Sequence, residues 1–192
     1  MTQYVDLTKT EGCIGILPEN GETIVLTGVS VNSMPLSVKQ REGELYADFA
    51  QKHGIHFIFD DDIPEIDFYS VPRLDIGARD NDGGFIASVS ESFSLSDPIC
   101  LVYISPDRKC YLLTKDATEF LSIVSDWRGR LTPYDGVTLY PNKDKAREEY
   151  EIIDFEKQYS YEDGRKSGLK EGLETGFMNG ITAAIRMLKD LR

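Results

Sequence analysis

Apolar and polar residues alternate in short stretches along most of the chain, with turn residues between them. Ile14 and Ile16 are followed by Asn20-Gly21 and then by Ile24-Val25-Leu26, which predicts a hairpin over 13–29 because Asn-Gly suits a turn whose central residues both need positive φ. Pro35 and Gly43 break the pattern over 30–43, and a helix is predicted for Glu44–His53. Leu45 and Phe49 lie four apart there, as do Tyr46 and Ala50, and Gly54 can close the last turn. Strands are predicted at Ile55–Phe59, Ile66–Val71, Leu74–Ile76, Phe85–Val89, Ile99–Ile104, Lys109–Leu113 and Gly136–Tyr140. The period changes after Asp116, where Phe120, Leu121, Ile123 and Val124 supply the stripe of a helix ending near Ser125. Asn142 can cap another helix through Tyr150. Strands joined by short turns, with few helices and no long βαβ alternation, predict an α+β fold with a mostly antiparallel sheet and helices packed against it.

The last 37 residues follow a different rule. Gly164, Gly168, Gly172, Gly176 and Gly180 recur every fourth residue, beside the row Leu169, Leu173, Phe177, Ile181, Ile185. On a helix these rows form a smooth groove next to an apolar ridge. Each interior glycine costs about 1 kcal/mol against alanine, so the pattern implies close helix–helix approach that offsets the cost. We divide the chain into an α+β domain, 1–155, and a C-terminal helix, 156–192, which packs either on the domain itself or on a second copy; in a homodimer Gly168, Gly172, Gly176 and Gly180 are the oligomerisation positions.

Charge is local. Residues 60–97 hold ten acidic and two basic residues, a net of −8 out of −12 for the whole chain. Such a field disfavours nucleic acid and anionic lipid and favours a basic partner. Asp60, Asp61, Asp62, Asp80 and Asp82 are its expected partner-binding residues, with Trp127 as a further contact. The amino terminus has neither the basic nor the apolar region of a secretory leader, and no apolar run could cross a membrane. Cys13, Cys100 and Cys110 are too scattered for a disulfide framework. In the expected hairpin register Cys110 faces Tyr103. These features together predict a cytoplasmic protein with free thiols.

No catalytic or cofactor motif stands out. His53 and His56 lack further metal ligands nearby. Asp80, Asp82 and Gly83 mimic part of a calcium loop, but Ala78 and Val89 occupy its first and twelfth positions. Asp97, Asp107 and Lys109 match the loose acid, acid, lysine pattern of metal-dependent nucleases, with Asp107 on a turn after Pro106. The expectation is no enzyme, no metal and no cofactor.

Three pieces carry a family resemblance: Asp75-Ile76-Gly77-Ala78 leading to Asp82-Gly83-Gly84-Phe85, the paired strands Ile99–Ile104 and Lys109–Leu113, and Ala117-Thr118-Glu119-Phe120-Leu121. Together they resemble the SUKH superfamily, which includes fungal glucan-synthesis regulators and bacterial toxin-immunity proteins. The resemblance spans Ile66–Val124, about a third of the chain, and implies a non-enzymatic α+β binding domain of the kind that neutralises a toxin by covering its active surface; the acidic segment suits a basic toxin. The alternatives are a self-associating scaffold built on the C-terminal helix and a metal-dependent nuclease using Asp97, Asp107 and Lys109. On the scaffold alternative, Gly172→Leu with Gly176→Leu splits the oligomer in sedimentation velocity; an unchanged profile contradicts it.

Overall fold

The structure is a computed structural model, and it describes residues 2–8, 21–90 and 92–154. The C-terminal glycine row, Cys13 and the first half of the expected hairpin at 13–29 lie outside the described residues. In chain order the strands are β1 (Thr2–Asp6), β2 (Thr23–Thr27), β3 (Val29–Val31), β4 (Ile55–Phe57), β5 (Tyr69–Val71), β6 (Leu74–Asp80), β7 (Phe85–Ser88), β8 (Leu101–Ile104), β9 (Cys110–Thr114), β10 (Thr132–Pro133), β11 (Thr138–Tyr140) and β12 (Ile152–Asp154). The helices are α1 (Leu36–His53), α2 (Phe120–Ile123) and α3 (Lys143–Ala146). Tight 3₁₀ turns flank α2, at Ala117–Glu119 and Val124–Arg130.

The centre is an antiparallel meander, β6-β7-β8-β9, with β10 on its outer edge. The opposite edge of β6 is shared. Its first half pairs in parallel with β3, and its second half pairs antiparallel with β4. Both faces of the meander are covered, so its strands read as continuous apolar runs. Ile86, Leu101, Tyr103 and Leu113 pack under Phe120, Val124 and Trp127 on one face. Leu74, Ile76, Phe85, Val102 and Ile104 pack under Ile58, Phe68 and Val137 on the other.

A second, all-parallel sheet places β1 between β2 and β12. Together with β3–β6 this makes the pairing mixed rather than mostly antiparallel. The α+β class stands. The parallel ladders join strands distant in sequence, and local turn signals carry no trace of them. Among the described residues β2 bonds to β1, in the register Thr2 to Thr23 through Asp6 to Thr27.

Helix α1 starts eight residues before the expected Glu44. Pro35 is its start signal: φ −58° suits entry into a first turn, where proline's missing N–H removes no intrahelical bond. Gly43 is simply tolerated inside it. Gly54 ends the helix at φ +68°, its N–H donating to Ala50 O at 2.8 Å. Tyr46 and Phe49 pack on Phe57, and Tyr46 also meets Phe59. No residue of α1 is fully buried, and Leu45 remains 65% exposed.

The β8–β9 register differs by one from expectation. Ile104 faces Cys110, and Tyr103 faces Tyr111. The cause is Arg108 at φ +61°, which converts a two-residue connection into a three-residue one with a left-handed third residue. Cys100 and Cys110 are free and half-buried, and burial pushes the Cys110 thiol up to about 12.

A buried ionic knot ties the parallel sheet to the rest. Asp6 accepts from Thr8 N at 2.8 Å, Thr8 Oγ1 at 2.6 Å and Tyr69 Oη at 3.1 Å, and pairs with Lys143. Lys143 also reaches Asp154, at 3.1 Å. Burial alone would raise the Asp6 carboxyl, but the Lys143 and Thr8 bonds outweigh it and hold it below its ordinary 3.8. The lowered value means that Asp6 stabilises the fold above the unfolded-state pKa, and that this contribution is lost as pH falls through the folded value. In urea titrations, the stability difference between wild type and Asp6→Asn should therefore be constant above about pH 5 and shrink below about pH 4. A difference independent of pH throughout contradicts this role.

Candidate functional site

The meander places the β6–β7 and β8–β9 turns at one end and the long 89–100 connection at the other. Asp80 begins the first of these turns. Its carboxylate is wholly buried and accepts four bonds: Asp82 N at 3.0 Å, Gly84 N at 2.7 Å, Tyr103 Oη at 2.8 Å and Arg128 Nη2 at 3.0 Å. Gly84 is required by the close approach of Tyr103, since a Cβ there would lie 2.4 Å from the phenol oxygen. Burial and the Asp80 bond push the Tyr103 phenol up. Arg128 also pairs with exposed Asp82 at 2.8 Å and stacks over Trp127 at 4.6 Å. Trp127 is 3% exposed, and its Nε1 donates to His53 O at 3.1 Å.

Two expected partner contacts are thereby corrected. Asp80 and Trp127 are interior groups, and neither presents its side chain to a partner. An unsolvated carboxylate needs donors and an unsolvated indole needs an acceptor, and each has them from its own chain.

The aspartates of residues 60–67 are exposed but engaged. Asp60 accepts from Ser33 Oγ at 2.6 Å, and Asp61 pairs with Lys39 at 2.7 Å. Asp62 pairs with Arg79, and Asp67 with Arg108. The Lys39 bond holds the Asp61 carboxyl below the usual carboxylate range, and the Arg108 bond does the same for Asp67. Three cations from outside 60–97, Lys39, Arg108 and Arg128, pair with this segment's acids. With them counted, its surplus falls from −8 to −5.

Asp80 and the turn holding Asp82 lie beside Ile55 at the start of β4. Asp60 and Asp61 follow β4, beside Met34 and the start of α1, and Asp62 is tied back to Arg79, next to Asp80. What gathers there is a loop, 60–67, with no strand or helix of its own. Ile63 on it is 55% exposed, next to exposed Asp60, Asp61, Asp62 and Glu65.

The remaining candidates separate. Asp97 is in the 89–100 connection and Asp107 in the β8–β9 turn, so β8 and its roughly 10 Å length lie between them. Asp107 is taken up by Ser105 and by Lys109 at 2.6 Å, and these bonds hold its carboxyl below the usual range. His56 Nε2 meets Asn81 Oδ1 at 2.6 Å, and His53 stacks on Phe49 at 4.8 Å. Among the described residues no group of His, Cys, Asp or Glu has a metal-holding arrangement, and no helix is long and apolar enough to cross a membrane. A depression of about 700 Å³ lies along Lys39–Leu45, consecutive residues of α1 alone among the described residues.

No protein-family model matches this chain. Comparisons with curated proteins and with solved structures find no match either. The residues that decide the site's charge, Lys39, Arg108 and Arg128, escaped sequence reading because each comes from a distant segment. Ile63 carried a local signal, an apolar residue within Asp-Asp-Asp-Ile-Pro-Glu.

Removing a buried charge and removing an exposed one differ sharply. Asp80→Ala leaves the Gly84 amide and the Tyr103 hydroxyl without their acceptor, at about 1–3 kcal/mol each in urea unfolding, while Asp82→Ala should cost less than about 1 kcal/mol. Equal effects contradict the assignment of Asp80 to the interior.

Proposed function

We propose that this chain is a non-enzymatic protein-binding domain, of the immunity kind implied by its SUKH-like motifs, that covers a basic protein toxin in the cytoplasm. The docking element is the 60–67 loop. The observation that carries the reading is Ile63, an exposed apolar side chain with carboxylates on both sides of it in sequence. An apolar anchor inside a charged rim is the anatomy of a protein interface. The aspartates steer a basic surface toward the loop, and Ile63 holds it once docked. Their present partners do not prevent this. Exposed pairs such as Lys39–Asp61 contribute about 0–1 kcal/mol and exchange readily for a partner's cations.

Asp80 and Trp127 drop out of the interface in this proposal because both are interior, while exposed Asp82 stays among its acidic contacts. The self-associating scaffold stays as the second reading, supported by the regular row of Gly168, Gly172, Gly176 and Gly180.

The test is co-purification from the source cells, followed by stopped-flow binding of the isolated partner. Reversing Asp60, Asp61 and Asp62 to Lys should slow association about tenfold or more at low salt, and the difference should fade as salt rises. Ile63→Asp should chiefly speed dissociation. A partner indifferent to both changes contradicts the proposal.

A further inference from the structure

Three cations grip the 60–67 loop, each from a different element: Lys39 from α1, Arg79 from β6 and Arg108 from the β8–β9 turn. The first two make ordinary surface pairs. Both side chains of Lys39–Asp61 are 43% exposed, and such pairs shift an equilibrium by less than about fivefold.

Arg108 is built differently. It sits at φ +61°, a conformation that favours glycine or asparagine and is costly for a long side chain. What the position gains is contact. The guanidinium lies 5.0 Å from the ring centroid of Phe68 and 5.7 Å from that of Phe85. One nitrogen pairs with Asp67 at the end of the loop, and Nη1 is buried without a hydrogen-bond acceptor. Aromatic faces near the guanidinium supply part of the missing stabilisation. Phe68 is where the loop enters the core. A strained backbone at a residue that clamps a loop is a functional signal in its own right.

We propose that Arg108 is the positioning residue of the docking loop, holding 60–67 in one conformation before a partner arrives. The inference rests on the reading of that loop as the docking element. A preset loop loses less freedom on binding. Arg108 meets two rings and buries one nitrogen, whereas Lys39 meets one ring, Phe59 at 5.4 Å, and stays 43% exposed.

The test needs no partner. Arg108→Gly keeps the left-handed turn and removes the guanidinium; Arg108→Asn is the second variant, since it also tolerates that conformation. Backbone order parameters from ¹⁵N relaxation report on the loop, as does native-state cleavage after Glu65 by a glutamate-specific protease. In either variant the order parameters over residues 61–67 should fall from about 0.85 to below about 0.6. Cleavage after Glu65 should rise about tenfold, as expected for the loss of the guanidinium's contacts with Phe68 and Phe85 together with the Asp67 pair. Arg79→Ala should raise it less than about fivefold. Unchanged order and cleavage in the Arg108 variants, or an equal effect from Arg79→Ala, overturns the proposal. A loosened loop with partner binding untouched confirms the clamp while removing the loop from the docking role.

Discussion

A carboxylate shut away from water must be surrounded by donors, and the meander is organised around meeting that demand at Asp80. The backbone amides of Asp82 and Gly84 close the β6–β7 turn on it. Tyr103 reaches it from β8, and Arg128 from the 3₁₀ segment that covers the sheet. Arg128 in turn stacks on Trp127, whose indole is tied to the end of α1 through His53. One buried charge thus links the hairpin, the next strand, the covering segment and the helix end. Asp6 plays the equivalent part for the parallel sheet, joined to Lys143 and Tyr69.

Seen this way, the acidity of residues 60–97 is largely wiring. Asp75 is buried among donors, bonding Ser30 and Asn32 on the neighbouring segment and the amide of Phe93 in the long connection. Asp62 and Asp67 fasten a loop to the sheet through two arginines. Negative charge is in excess, yet its distribution follows the needs of the fold more than those of a single docking face. The part left for recognition is small: the loop around Ile63, with Asp60 and Asp61 beside the start of α1, and exposed Asp82.

Local features were legible where a local rule governs them. Gly54 caps α1 in the left-handed conformation, Asp116 accepts from Thr118 N, and Asn142 accepts from Lys145 N. The turns at Asp80–Gly84 and after Ser105 follow from their turn residues, but left-handed Arg108 lengthens the second and shifts its register by one. Pro35 misled because a proline that breaks one pattern can start a helix. The parallel pairings and the partners of each aspartate join residues far apart in sequence, so no short window contains both members. Trp127 illustrates the limit: its type suits a partner surface or a core rim equally, and only its neighbours decide.

The central claim is that Asp80 and its donors act as one interior unit. A double-mutant cycle on Asp80→Asn and Tyr103→Phe, measured by urea unfolding, tests it most directly. The account predicts a coupling of about 1–3 kcal/mol between the two sites. Additive effects, within about 0.3 kcal/mol, would contradict it.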